Sequence, residues 1–286
     1  MAGLDVLNPI TYAPNLLIPF RKSLVFGSVA NRDYEGEIRN MGDSVKIREI
    51  GTVSISDYSK FTNTGSTSTA ITWQALSAAE KSLIIDKAKY FAFAIDDVDM
   101  AQNFPKAMAQ GMDEAGYAIA NQIDQDIAEK MADGSGNIIT AATVSAGSCL
   151  TLLTQFARKL NEANVPQDGR FAFIPPFFHQ DLLEALSGAI GATGVPKVFD
   201  NGVVYNGFVG NLYGINLLLT NNCHTSSGTA IITACHRSAV TFAGQLSQIK
   251  RTERENYFDQ GVKGLYLYGI KVVRPSAIVS CDVTEG

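Results

Sequence analysis

One apolar stripe constrains this chain before anything else. Phe104, Met108, Met112, Ala115, Ile119, Ile123, Ile127 and Met131 recur at steps of four, four, three, four, four, four and four. That spacing is one face of a single long helix. Pro105 suits the first turn and Gly134 suits the stop. The 27 residues from Pro105 to Met131 would span roughly 40 Å at about 1.5 Å each. That is long beside the usual ~10–14 residues. A stripe on one side only implies that the helix lies across a sheet as a spine. Gly111 and Gly116 within it permit close backbone approach.

Strand patterns flank this helix. In Gly42–Lys60, Val45 and Ile47 alternate with Lys46 and Arg48, and Val53 and Ile55 alternate with Ser54 and Ser56. Period two indicates strands with one covered face. Gly51 reads as a phase shift or bulge. A polar stretch, Lys60–Thr69, follows, and alternation resumes at Ala70–Ala75 with Ile71 and Trp73. The pattern predicts a long hairpin with a polar tip. A two-stranded ribbon is marginal alone, so it must pack on something, a neighbouring subunit being one candidate. Ser82–Ile95 reads as a buried strand, and Asp96, Asp97 and Asp99 read as acids at a helix start.

Beyond the spine, Leu150–Ala163 and Pro176–Ala189 read as helices. Arg170–Ile174, Ile215–Leu219, Ala230–Ala234, Ala239–Phe242 and Lys263–Val273 read as strands. Gly188–Asn211 reads as a loop region, and Gln248–Asp259 as a charged, exposed segment. The class is α+β. Residues 1–30 hold Pro9, Pro14 and Pro19, which favour an extended path. The segment reads either as a loose terminus or as an arm laid on a neighbour, since Leu16, Leu17, Ile18, Phe20 and Phe26 are apolar for a solvated tail.

Composition excludes several functions. Apolar residues are 46% and charged residues 18% of 286, which is a globular balance. A net charge of −5 and a pI near 5.3 argue against a protein that grips phosphates. The N-terminus lacks a basic region followed by a long apolar core, and apolar runs such as Ile215–Leu219 are too short to span a bilayer. Four sparse cysteines, Cys149, Cys223, Cys235 and Cys281, do not form a disulfide framework. Cys223–His224 and Cys235–His236 lack zinc-ligand spacing, since adjacent strand residues point to opposite faces. His179 stands apart. The acids near Asp96 lack the central glycine of a calcium loop. No nucleophile, metalloprotease or phosphate-loop motif occurs. The expectation is therefore no catalytic residue, no cofactor and no metal, in a protein made in a reducing cytoplasm.

The order of parts carries a resemblance. An apolar arm, an extended hairpin, a strand ending in acids, a spine helix, a mixed centre and a closing strand follow one another. Ile85–Gln102, IDKAKYFAFAIDDVDMAQ, is similar to the strand that leads into the spine helix of tailed-phage major capsid proteins of the Hong Kong 97-type fold. Lys263–Ile278, KGLYLYGIKVVRPSAI, resembles their closing peripheral-domain strand, and Gly42–Lys60 the first half of their extended loop. The resemblance implies residues 1–40 as N-terminal arm and 41–95 as extended loop and base. It implies 96–147 as peripheral domain with the spine, 148–250 as axial domain, and 251–286 as a return to the peripheral domain. It also implies an icosahedral shell of pentamers and hexamers enclosing double-stranded DNA, contacted non-specifically.

The implied partners are copies of the chain itself, a separate scaffolding protein, a portal protein and decoration proteins, with no membrane. Only 41 residues precede Gly42, too few for the long N-terminal scaffolding segment of some relatives. Lys60 sits where some relatives crosslink a lysine to an asparagine, but no partner asparagine stands out, and noncovalent assembly is expected. The intersubunit contact candidates are Leu16, Leu17, Phe20, Phe26, Lys46, Arg48, Glu49, Asp57, Lys60, Trp73, Arg251, Glu253, Arg254 and Glu255. Mixed charges among them would fix register between neighbours. Two alternatives are an encapsulin-like compartment with an enzyme cargo, and a soluble enzyme of small oligomeric size.

Overall fold

The computed structural model describes residues 21–33, 44–51, 53–58, 71–76, 78–96, 107–188, 208–226, 228–253 and 259–286. In chain order its helices are α1 (Phe26–Val29), α2 (Ala107–Asp133), α3 (Cys149–Glu162) and α4 (Pro176–Gly188). Its strands are β1 (Ser44–Ile50), β2 (Ala78–Ile84), β3 (Lys87–Asp96), β4 (Asn137–Val144), β5 (Arg170–Ile174) and β6 (Phe208–Leu212). They continue as β7 (Ile215–Leu219), β8 (Thr225–Ser226), β9 (Thr229–His236), β10 (Val240–Glu253), β11 (Asp259–Val272) and β12 (Ile278–Glu285).

The strands form three sheets: the β1–β2 ribbon, a three-stranded sheet β10-β11-β3, and a seven-stranded sheet β4-β12-β9-β5-β7-β6 with β8 on β9. In the largest sheet the β4–β12 and β5–β7 pairs are parallel and the rest antiparallel.

Both faces of the seven-stranded sheet are covered, and its side chains sort by period two. Ala172, Ile174, Leu217, Ala234 and Val279 face Leu153, Phe156, Leu160, Phe178 and Leu182 of α3 and α4. Their chain neighbours Phe173, Leu218, Cys235 and Ile278 face the other way. They pack with Phe26 of α1, Ile127 and Met131 of α2, and Phe242 and Tyr268 of the three-stranded sheet. α2 therefore lies between the two sheets. Its stripe is buried only in its C-terminal half, where Ile123, Ile127 and Met131 are covered. Met112, Ala115 and Ile119 remain part-exposed. Gly134 ends the helix against Val272, leaving no room for a Cβ.

The ribbon stands on the opposite face of the three-stranded sheet from α2. Val45, Ile47, Leu83 and Ile85 pack on Ala243, Leu267 and Val273. Gly269 makes this approach possible, because a methyl there would overlap the Ile84 carbonyl oxygen. β1 and β2 pair in one unbroken register, Ser44 opposite Ile84 through Ile50 opposite Ala78. Further out, Gln74 Oε1 accepts from Ser54 N at 3.0 Å and from Ser54 Oγ at 2.8 Å.

Several sequence expectations need correction. Ser82–Ile95 is not one buried strand. It splits at Asp86 into the ribbon's β2 and the edge strand β3, and one face of β3 is bare, with Tyr90 79% exposed. Asp96 ends β3 opposite Asp259, so it starts no helix, while Asp97 and Asp99 lie outside the described residues. In the charged stretch Gln248–Asp259, residues 249–252 are exposed as expected but belong to β10, and Asp259, which opens β11, is buried. The chain passes between the two larger sheets more than once. β4 already belongs to the seven-stranded sheet, β10 belongs to the three-stranded sheet from Val240, and β12 returns to the larger sheet. The closing strand read from the sequence is β11, which pairs with β10 and β3, whereas β12 lies between β4 and β9, a placement no local pattern announces.

Substituting Gly269→Ala is expected to lift the ribbon from its base and lower subunit stability by about 1–3 kcal/mol. Urea unfolding of unassembled protein measures this. An unchanged midpoint would show that the ribbon base is not held by this contact.

Candidate assembly site: the stitched helix and the extended ribbon

A second, polar stripe runs along α2. Glu114, Tyr117, Asn121 and Asp124 stand at helical spacing, and the N-terminal segment is stitched to them in order. Arg21 pairs with Glu114 at 3.5 Å and lies over the Tyr117 ring. Lys22 N donates to Tyr117 Oη at 2.7 Å. Asn222 Nδ2 donates to Asn121 Oδ1 at 2.9 Å and to Asp124 Oδ2 at 3.0 Å. Gly27 N donates to Asp124 Oδ1 at 3.0 Å, and Thr220 Oγ1 donates to the Ser23 carbonyl at 3.2 Å. Asp124 is 1% exposed. Burial raises its pKa, and the hydrogen bonds from Asn222 and the 25–27 backbone only partly oppose this.

Asp126, two residues further on, serves the other side. It accepts from Tyr268 Oη and from Gln122 Nε2 at 3.1 Å, and pairs with Lys87 Nζ at 3.0 Å. Burial alone would raise its pKa, but the bonds from Tyr268, Lys87 and Gln122 and the Lys87 charge outweigh it, leaving the carboxyl below its ordinary value. Tyr268 is correspondingly pushed up, by burial and by this bond.

The structure separates the predicted contact residues. Phe26 is the correction. It is 1% exposed and stacks on Phe173 with ring centroids 3.9 Å apart, so it belongs to the subunit's own core rather than to a neighbour's surface. Leu16, Leu17, Phe20, Lys60, Arg254 and Glu255 lie outside the described residues. Lys46 and Arg48 both reach Glu80 across the ribbon, at 3.1 and 3.6 Å, and remain largely exposed. Glu49 sits on β1 and Glu253 ends β10, while Asp57 and Arg251 are exposed. Trp73 is 91% exposed. The residues that sequence reasoning missed are Asp124, Asp126, Asn222 and Tyr268. The spacing of the polar stripe was the available signal.

The thiols are poor nucleophiles. Burial pushes Cys223 and Cys235 up to about 12 and Cys281 up to about 11, and raises Cys149, the reverse of what a reactive thiolate needs. His236 Nδ1 accepts from Ser238 N at 3.2 Å, capping a short turn. Among the described residues no group of three or more His, Cys, Asp or Glu could hold a metal ion, and no helix is long and apolar enough to cross a membrane.

Solved structures similar to this one come from phages. A chain from Mycobacterium phage Che8 matches with a TM-score of 0.80 and 24% identity, over 98% of each chain. The capsid structure of cyanophage P-SCSP1u matches at 0.74 and 20% identity, over all of this chain and 96% of that one. The mature capsid of bacteriophage PhiM1 matches at 0.67 and 14%, over 96% and 91%. No curated protein matches the sequence. Spine helix, ribbon and two sheets together make up the Hong Kong 97-type fold. The family described as phage capsid protein matches residues 80–281. The chain belongs to that family and is a major capsid protein, a subunit of the phage head shell.

Asp126→Ala leaves Tyr268 and Lys87 without their acceptor, and is expected to cost roughly 2–4 kcal/mol in urea unfolding. The pH dependence has a definite sign. With the folded pKa depressed, the Asp126 contribution is full above the ordinary carboxylate range and is lost as pH falls through the folded value. Asp126→Asn should therefore flatten the acid limb of a stability-against-pH curve. Asp124 works oppositely, its contribution fading as pH rises through its raised value.

Proposed function

We propose that copies of this chain close into pentamers and hexamers, which build an icosahedral head around double-stranded phage DNA. The observation that carries the reading is the ribbon. A two-stranded ribbon has no core of its own, and Val53, Ile55, Ile71 and Trp73 are 64, 97, 73 and 91% exposed. Such an apolar surface on a subunit marks a contact with another chain. α2 and the three-stranded sheet would form the peripheral domain, and the seven-stranded sheet with α3 and α4 the axial domain. Lys46, Arg48, Glu49, Asp57, Trp73, Arg251 and Glu253 remain candidates for contacts between copies, with Leu16, Leu17, Phe20, Lys60, Arg254 and Glu255 added from the sequence.

A weakly acidic subunit, net charge −5, suits a wall that adjoins packaged DNA without gripping it. Assembly would take place in the host bacterial cytoplasm. Scaffolding, portal and decoration proteins are the expected partners.

Negative-stain electron microscopy tests the reading, on the protein expressed alone and with candidate scaffolding genes. Closed shells tens of nanometres across are expected, and a requirement for the scaffold would separate this protein from self-assembling enzyme compartments. Discrete small oligomers under every condition would refute it.

A further inference from the structure

The stitching of the N-terminal segment to α2 brings three unlike side chains into contact. Lys22 Nζ donates to Asn222 Oδ1 at 3.3 Å. Asn222 Nδ2 in turn donates to Asp124 Oδ2 at 3.0 Å. The amine and the carboxamide are 200 residues apart in the chain, and they meet at the margin of the seven-stranded sheet. Asn222 is 3% exposed and Asp124 1%. An amine, a carboxamide and a buried carboxyl in contact are the reactants and the proton carrier of an amide exchange.

Each of the three is held by its surroundings. Lys22 N donates to Tyr117 Oη at 2.7 Å. Thr220 Oγ1 donates to the Ser23 carbonyl at 3.2 Å and accepts from Asn222 N at 3.1 Å. Thr220 thus ties the backbone beside the amine to the backbone of the carboxamide. Asn222 Nδ2 is fixed a second time by Asn121 Oδ1 at 2.9 Å, and Gly27 N holds the far oxygen of Asp124 at 3.0 Å. Positioning of this kind turns an encounter of distant groups into a reaction of neighbours. Burial of the carboxamide and the carboxyl keeps bulk water from competing with the amine.

We infer that Lys22 and Asn222 join through an isopeptide bond within the chain, with Asp124 as the catalytic residue. Lys22 reacts as the free amine, its extra proton having gone to solvent, and Nζ attacks Cγ of Asn222. The Asp124 carboxylate takes the proton that Nζ sheds and passes it to Nδ2, which it already touches. The Cγ–Nδ2 bond breaks, ammonia leaves, and an amide between Nζ and Cγ remains. Asp124 ends as it began, and no oxidant or cofactor enters the balance. Burial raises the Asp124 pKa, which brings the carboxyl nearer the range where one group both takes and gives a proton.

The bond closes a loop that runs from the N-terminal segment to the seven-stranded sheet, across the helix that carries Asp124. A covalent tie of this span restricts the unfolded chain as a disulfide does. It needs no oxidising compartment, and the four cysteines of this chain are free thiols. The tie lies within one copy, so nothing in it depends on how copies assemble.

Mass spectrometry of the intact chain tests this, on the free subunit and on assembled protein. The wild-type chain is expected to be lighter than its unmodified sequence by one ammonia. A tryptic digest should contain a branched peptide in which Lys22 resists cleavage and is joined to the stretch that holds Asn222. Lys22→Arg keeps the positive charge and removes the amine. Asp124→Asn keeps the shape and removes the proton carrier. Both variants should regain the full mass and migrate more slowly than wild type on a denaturing gel, because an open chain is more extended than one closed into a loop. The circular dichroism spectrum of Lys22→Arg should match that of wild type, so that its regained mass reports lost chemistry in a folded chain. Wild-type chains of full mass in both the free and the assembled protein would overturn the inference. So would an ammonia loss that persists in Lys22→Arg, or one that the digest maps to a cyclised asparagine elsewhere. A Lys22–Asn222 linkage that forms undiminished in Asp124→Asn would overturn the catalytic role of Asp124.

Discussion

Two carboxylates on one helix hold this subunit together. Asp124 and Asp126 are two residues apart, about 200° around α2, so they face opposite ways. Each is nearly buried, and a buried charge is tolerated only when bonded. Asp124 takes its donors from the N-terminal segment and from Asn222, at the margin of the seven-stranded sheet. Asp126 takes its donors from Lys87 and Tyr268 of the three-stranded sheet. Neither sheet can move away from the helix without stranding an acid. The apolar layer of Phe26, Ile127, Phe173, Phe242 and Tyr268 fills the space between, and supplies the larger share of the cohesion. The two acids supply its geometry, because hydrogen bonds have directions and hydrophobic contact does not.

How much of this was legible depended on how local each signal was. The α2 stripe, the helices near 150–163 and 176–189, and the strands Arg170–Ile174 and Ile215–Leu219 could be read directly, since one period and one stop residue defined each. β4 and β12 escaped because their pairing is parallel and long-range, which leaves no local mark. β3 was misjudged because aromatic and branched residues report strand preference, not which face is covered. Phe26 was misassigned for a related reason. An apolar residue in a proline-rich segment says that something must cover it, and not whether the cover is Phe173 of the same chain or another subunit. Asp124 and Asp126 flank the buried stripe of the helix on its two sides. There, a solvated acid and a bonded one look alike until the partners are placed.

The same ambiguity sharpens the reading of the ribbon. Its alternation said that one face needs cover along the whole length. The structure divides that face into a covered base and a bare distal part. A core residue exposed through chance would not share a face, a register and a polarity with a neighbouring stretch that is buried. A bare face that continues a buried one resembles an obligate interface, which is like a core cut in two.

Head-to-tail contact brings a geometric requirement of its own. A heterologous contact closes a ring only when the rotation it imposes divides a full turn, and otherwise builds an open filament. Rings of five and six differ in that rotation by about 12°, if the contact is to serve both. The subunit bodies cannot absorb the difference, since α2 is bonded to both sheets. The ribbon can. Beyond Ile50 and Ala78 the described residues show no strand ladder, only the contact between Ser54 and Gln74. A two-stranded element with so few cross-links bends at little cost. Rigid bodies joined through a compliant ribbon can therefore meet at more than one angle.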